Sequence, residues 1–321
     1  MSYPYASEVA AFLPYAPVFD LTDITATRAY LAEVVAAAPP FELSDKVQLA
    51  VRSVPGIDDA PSVDILVLSP VEAPVVPRPA LLWFHGGGFV LGDAAESLSF
   101  LESIVLDTGA VAVSVQYRLA PETTFPGPVD DGAAALSWLV ENADELAIDL
   151  DRVAIGGQSA GGALAAGLVL RMRDEAGPRV AFQLLDIPVL DDRGSTESAR
   201  LYDDTAVWTR KNAELSWRAY LGETVGAPVS PYASPARATD LRGLPPAFIG
   251  VNQFDPLRDE GLEYARRLAQ AGVPTDLHLY AGTFHGSAAI AAPANVSKRQ
   301  VSDLRAAFAR AVAASENDRG D

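Results

Sequence analysis

The sequence predicts an α/β fold, with a mostly parallel central sheet and helices on both faces. Three observations predict it. The runs "ALLWFH", "VAVSVQY", "RVAIGG", "AFQLLDI" and "AFIGVNQF" are short, continuous and apolar, as strands buried on both faces must be. Segments with helical periodicity alternate with them. The chain has 321 residues, 49% hydrophobic and 21% charged, which suits one large domain with a sizeable core.

The elements follow in order. Residues 1–40 are helical, aromatic and proline-bearing, and precede the first strand. "KVQLAVRSV" and "SVDILVLS" alternate in type and read as half-buried strands. After "ALLWFH" and "VAVSVQY", apolar residues recur from Val129 through Ala133, Leu136, Leu139, Val140, Ala143 and Leu146, a helical stripe. "RVAIGG" then reads as a strand and "GGALAAGLVLRMRDE" as the helix after it. Residues 188–235 break the rhythm: they hold "WTRKNAELSWRAYLG" and no obvious strand. With residues 1–40 they are expected to form a cap over the carboxyl edge of the sheet. "RDEGLEYARRLAQAG" ends at Gly272, a plausible helix stop. "TDLHLY" reads as a last strand, "VSDLRAAFARAVAA" as the last helix and "SENDRGD" as a solvated tail.

Composition excludes several functions. With 24 basic and 42 acidic side chains the formal charge is −18, a field that repels phosphate backbones, so no nucleic-acid partner is expected. The absence of cysteine removes disulfides, zinc thiolates and thiol nucleophiles. The beginning of the chain has no basic region and no long apolar core, so a cytoplasmic location is expected. No metal motif and no cofactor motif is present. A homodimer is compatible with the sequence.

The uncharged stretch from Val153 to Leu170 admits three readings. As a membrane span it is interrupted by glycines, a glutamine and a serine, and barely reaches the needed length of about 17–25 residues. As a phosphate loop it has Gly156 and Gly161 at the right spacing, but Gly162 and Ala163 where Lys and Ser/Thr are required. The remaining reading is Gly157-Gln158-Ser159-Ala160-Gly161, a G-x-S-x-G turn between strand and helix. Such a turn exposes a serine hydroxyl, and the glycines leave room for its strained backbone. The following helix aims free amides at a developing oxyanion.

A serine nucleophile needs a base, and the chain holds only His85, His278 and His285. His278 alternates with Leu277 and Leu279 on a strand surface. His85 opens "HGGGFVLG". His285 lies in "AGTFHGS", after the last strand, and alone has the right place if the triad runs in the order Ser, acid, His. The acid lies between Ser159 and His285. Asp255 sits just past a strand, where sites gather in open α/β sheets. Asp186 is the main rival, whereas Asp259 and Glu260 fall inside the next helix. Consecutive glycines after a buried strand suit backbone donors to an oxyanion. Arg118 suits either a carboxylate substrate or an ion pair with Asp130 or Asp131. Trp208 and Trp217 suit a substrate pocket and the core of the cap equally.

"HGGGF", "YRLAPE", "GGQSAGG", "DPLRDEG" and "GTFHGS" together resemble the bacterial members of the hormone-sensitive lipase-like esterase family, over at least Trp83 to His285. "YRLAPETTFPGPV" with "GGQSAGG" is especially similar to an acetyl esterase of that family. The resemblance implies an α/β-hydrolase fold with a helical cap, a Ser159–Asp255–His285 triad, and an oxyanion hole from the amides of Gly87, Gly88 and Ala160. Most members carry Asp before the nucleophile, where this chain has Gln158. The expected activity is metal-independent hydrolysis of small carboxylic esters, with acyl groups from acetyl to butyryl. The short-chain expectation also rests on Phe12, Tyr15, Trp208, Trp217 and Tyr220 in the cap segments, bulky side chains suited to enclosing a compact ligand. An amidase or peptidase with the same triad, and a non-catalytic binding protein on the same fold, are the alternatives.

Overall fold

A computed structural model describes residues 3–37, 39, 41–222 and 228–313. The tail "SENDRGD" lies outside them, as do residues 1, 2, 38, 40 and 223–227 of the expected cap segments. The strands are β1 Val47–Val54, β2 Val63–Pro70, β3 Arg78–Phe84, β4 Val111–Gln116, β5 Ile148–Gln158, β6 Phe182–Asp186, β7 Ala247–Phe254 and β8 Thr275–Phe284. They form one sheet in the order β1-β2-β4-β3-β5-β6-β7-β8. Only β2 opposes its neighbours; the pairs from β4 to β8 are all parallel. The helices are α1 Ser7–Ala10, α2 Ile24–Ala37, α3 Leu98–Thr108, α4 Gly127–Glu141, α5 Ala143–Leu146, α6 Ala160–Asp174, α7 Glu197–Leu201, α8 Arg210–Leu221, α9 Arg258–Gln270, α10 Ser287–Ile290 and α11 Asn295–Ala313.

Two apolar layers cover the sheet. On one face α4, α6 and α9 pack through Leu136, Leu164, Leu168 and Leu268. On the other, α3 and α11 pack through Leu101, Ile104, Leu304 and Phe308. The continuous apolar runs are therefore covered on both sides, as parallel strands require. The alternating run of β1 is more exposed than half-buried: Leu49 and Val51 face solvent at 39% and 61%. The reason is position, since β1 is an edge strand with only β2 beside it. At the opposite edge, β8 turns Leu277 and Leu279 outward, and His278 meets Asp303 of α11 at 3.0 Å. No helix among the described residues is long and apolar enough to cross a membrane. The glycine-rich stretch is instead divided between β5 and α6.

The two irregular segments meet each other. Asn212 of α8 donates to Phe19 O at 2.9 Å and accepts from Leu21 N. Arg28 of α2 donates to Val90 O and Ala120 O, both at 2.8 Å. It thereby ties the N-terminal segment to the loop that follows the triple glycine.

Candidate active site

β5 ends at Gln158 and α6 begins at Ala160, so Ser159 alone makes the turn between them. Its φ of 55° and ψ of −117° lie in a region that L-residues avoid. The surroundings hold it there: Ser159 N donates to Asp186 O at 2.8 Å, and Val189 N donates to Ser159 O at 3.0 Å. The flanking glycines are needed for space. A Cβ on Gly157 would lie 2.2 Å from Gly161 O, and one on Gly161 would lie 2.1 Å from Phe84 O. Both obstacles are backbone and cannot rotate away. Gly161→Ala is therefore expected to cost about 3 kcal/mol or more of stability, at the upper end of overpacking. Urea denaturation checks this, and an unchanged midpoint would contradict it.

The structure brings the three predicted side chains together. Ser159 Oγ lies 2.8 Å from His285 Nε2, and His285 Nδ1 lies 2.7 Å from Asp255 Oδ2. All three residues are at most 5% exposed. The second oxygen of Asp255 accepts from Leu257 N at 2.9 Å, which fixes the carboxylate plane. His85 plays a different part. Its ring stacks on Tyr117 at 4.1 Å, its Nδ1 is 2.7 Å from Gly86 O, and burial lowers its pKa to about 4, so it stays neutral.

Gly87 and Gly88 have φ of 114° and 59°, which turn the loop after β3 back toward the nucleophile turn. Among the described residues the amides of Gly87, Gly88 and Ala160 find no acceptor, so they remain free donors. The indole of Trp208 lies flush on this loop: a Cβ on Gly88 would meet its Cη2 at 2.3 Å. The same ring is 5.9 Å from that of His285. The residue before it, Val207, has φ of 68°, and Trp208 N donates to Ala206 O across it at 2.8 Å. A β-branched residue in that conformation is strained, and here the strain delivers the indole to the site.

Other expectations are sorted by the same geometry. Among the described residues no histidine hydrogen-bonds to the Asp186 carboxylate; Gln158 Nε2 and Gln300 Nε2 donate to it at 2.9 and 2.8 Å. Burial raises its pKa. Trp217 packs on Phe89 and Tyr220 within the main core, so it backs the glycine loop from behind. Phe12 joins a small cluster with Val9, Phe284 and Val207, whereas Tyr15 is 78% exposed and encloses nothing. Arg118 grips Asp131 with Nε and a terminal nitrogen at 2.6–3.0 Å, a structural pair, while Asp130 pairs with Arg171. The supporting roles of three residues escaped the sequence reading. Gln300 comes from the last helix. Asn252 donates to Phe284 O at 2.7 Å, just before His285. Glu260, buried in α9 with a raised pKa, accepts from Leu190 N at 2.6 Å and so links the Asp255 loop to the segment that holds Ser159.

The sequence profile described as the alpha/beta hydrolase fold matches residues 81–289. The chain belongs to the alpha/beta hydrolase fold family. Within it, the chain sits in the hormone-sensitive lipase-like branch. Esterase LipI of Mycobacterium tuberculosis is 42% identical over 67% of this chain, a match that spans 66% of its own length, just under two thirds. Carboxylesterase NlhH of Mycobacterium tuberculosis is 36% identical, covering 84% of this chain and 86% of its own. Among solved structures, bacterial heroin esterase superposes with a TM-score of 0.91 at 48% identity, over 96% of this chain and 98% of that one. With esterases as relatives over nearly its whole length, this alpha/beta hydrolase is a carboxylic ester hydrolase.

Proposed function

We propose that this hydrolase is a serine carboxylesterase for small esters with acyl groups from acetyl to butyryl, working through Ser159, His285 and Asp255. The observation that carries the proposal is the unbroken chain of short contacts from Ser159 Oγ through His285 to Asp255. In this reading Ser159 Oγ attacks the ester carbonyl while its proton passes to His285 Nε2. Asp255 orients the ring and stabilises the imidazolium. The carbonyl oxygen, now anionic, is held by the amides of Gly87, Gly88 and Ala160. The tetrahedral adduct collapses, the C–O bond breaks, and the alcohol leaves with the proton from Nε2. Water then attacks the acyl-serine, giving its proton to Nε2, and Ser159 recovers a proton as the acid departs.

The cap reading of residues 1–40 and 188–235 belongs to the same proposal. Trp208 is its substrate-facing side chain, and Trp217 its support. The low exposure of Ser159 and His285 beneath this layer favours a compact substrate over a long lipid chain.

A series of 4-nitrophenyl esters from acetate to palmitate tests this. kcat/KM is expected to fall steeply beyond butyrate, because each methylene that finds no room forfeits about 1–3 kcal/mol of transition-state binding. The matching 4-nitroanilides should be turned over far more slowly. A profile rising toward palmitate would make the protein a lipase, and equal anilide turnover would make it an amidase.

A further inference from the structure

Beside the nucleophile turn lies a cleft of about 380 Å³, within the usual size of small-molecule sites. Gln158 and Asp186, the last residues of β5 and β6, border it at one end. Phe100 of α3, 4.8 Å from the Trp83 ring, and Leu304 of α11 give it apolar walls. Ala288, three residues after His285, borders it as well. The cleft is thus flanked by chain neighbours of both Ser159 and His285.

Its polar groups near the nucleophile are acceptors. Gln158 spends its Nε2 on Asp186, so its Oε1 is left, and no described residue donates to it. A Cβ on Gly86 would lie 3.5 Å from that oxygen and 3.6 Å from Ser159 Cβ, which places the amide oxygen against the loop leading to Gly87. Asp186 is already met by two amides and no cation. Arg305, at the cleft, is held bidentately by Asp107.

We infer that this cleft receives the acyl group of the ester, and that Gln158 Oε1 selects a short acyl chain carrying a hydrogen-bond donor, such as a 3-hydroxyacyl group, over the plain chain of equal length. The inference rests on the proposed triad. Once Ser159 Oγ bonds to the carbonyl carbon, the oxyanion faces the glycine amides and the leaving oxygen faces His285 Nε2. The remaining substituent needs a third direction. Trp208 fills the space over Gly88, whereas the cleft borders Gln158, the residue before Ser159, and Ala288, three residues after His285. A plain alkyl chain entering there covers an unpaired amide oxygen and part of a carboxylate site without satisfying them, which is unfavourable. A hydroxyl on the chain satisfies the oxygen. Where similar esterases carry Asp, a charged group would compete with Asp186; the neutral Gln158 leaves one acceptor free.

The test compares 4-nitrophenyl acetate, butyrate and 3-hydroxybutyrate on the wild type, on Gln158→Met and on Ser99→Trp, which fills the exposed rim of the cleft from α3. The wild type should favour 3-hydroxybutyrate over butyrate by about tenfold in kcat/KM, the scale of one hydrogen bond. Gln158→Met, which keeps length and removes the acceptor, should bring that ratio to about one. Ser99→Trp should lower both four-carbon esters about tenfold relative to acetate. Each readout is a ratio within one protein, so partial misfolding cancels. A wild-type ratio near one, a ratio unmoved by Gln158→Met, or a butyrate-to-acetate ratio unmoved by Ser99→Trp would overturn the inference. Failure of the triad reading looks different: acetate hydrolysis would then survive Ser159→Ala.

Discussion

Ser159→Ala is expected to lower kcat for ester hydrolysis by about 10⁶-fold, the scale seen when a triad nucleophile is removed, with a small residue left to the oxyanion donors. The folded state should be retained. Ser159 Oγ makes its contact with His285, and the turn itself is held by backbone bonds from Ser159 N to Asp186 O and from Val189 N to Ser159 O. Those bonds do not involve the hydroxyl. Steady-state kinetics with an unchanged circular dichroism spectrum checks both halves. Retention of more than about 1% of wild-type activity would remove Ser159 from the chemistry.

Asp255→Asn carries the second largest effect. It should lower kcat by about 10⁴-fold, because an amide facing His285 Nδ1 favours the wrong imidazole tautomer. The 2.7 Å contact between Asp255 Oδ2 and His285 Nδ1 is the reason. Asp186→Asn is the matched control. Its carboxylate accepts from Gln158 Nε2 and Gln300 Nε2, so an Asn there sets one N–H against another. The expected result is a loss of about 1–3 kcal/mol in stability with a far smaller change in kcat. If Asp186→Asn stops turnover and Asp255→Asn does not, the acid has been assigned to the wrong residue.

The sequence makes the sheet and the three catalytic candidates legible for definite reasons. Strands covered on both faces must be apolar throughout, so β3 to β7 announce themselves. A strained strand-to-helix turn needs glycine on both sides, as the contacts of Gly157 and Gly161 bear out. With three histidines in the chain, elimination leads to His285. What stayed illegible depends on distance in the chain. Gln300 lies 114 residues from the carboxylate it holds, and no local pattern marks it. Trp208 and Trp217 are equivalent in the sequence, yet the strained Val207 sends one to His285 while α8 sends the other into the core. Asp186 ends β6 and Asp255 follows β7, and only the loop after β8 decides which of them meets the imidazole. Glu260 reads as an ordinary helical glutamate, and its burial against Leu190 N follows from the packing of α9 on the segment after β6. Tyr15 shows the opposite error, an aromatic residue whose type suggests enclosure and whose position leaves it in water.

The central claim is that one activated serine carries the reaction, and covalent labelling tests it most directly. The protein is incubated with a fluorophosphonate, the adduct is mapped by peptide mass spectrometry, and residual ester hydrolysis is followed in the same samples. One phosphonyl group per chain on Ser159, with activity falling in step with labelling and no adduct on Ser159→Ala, is the predicted result. Full labelling elsewhere in the chain, or undiminished hydrolysis after Ser159 is fully modified, would contradict it.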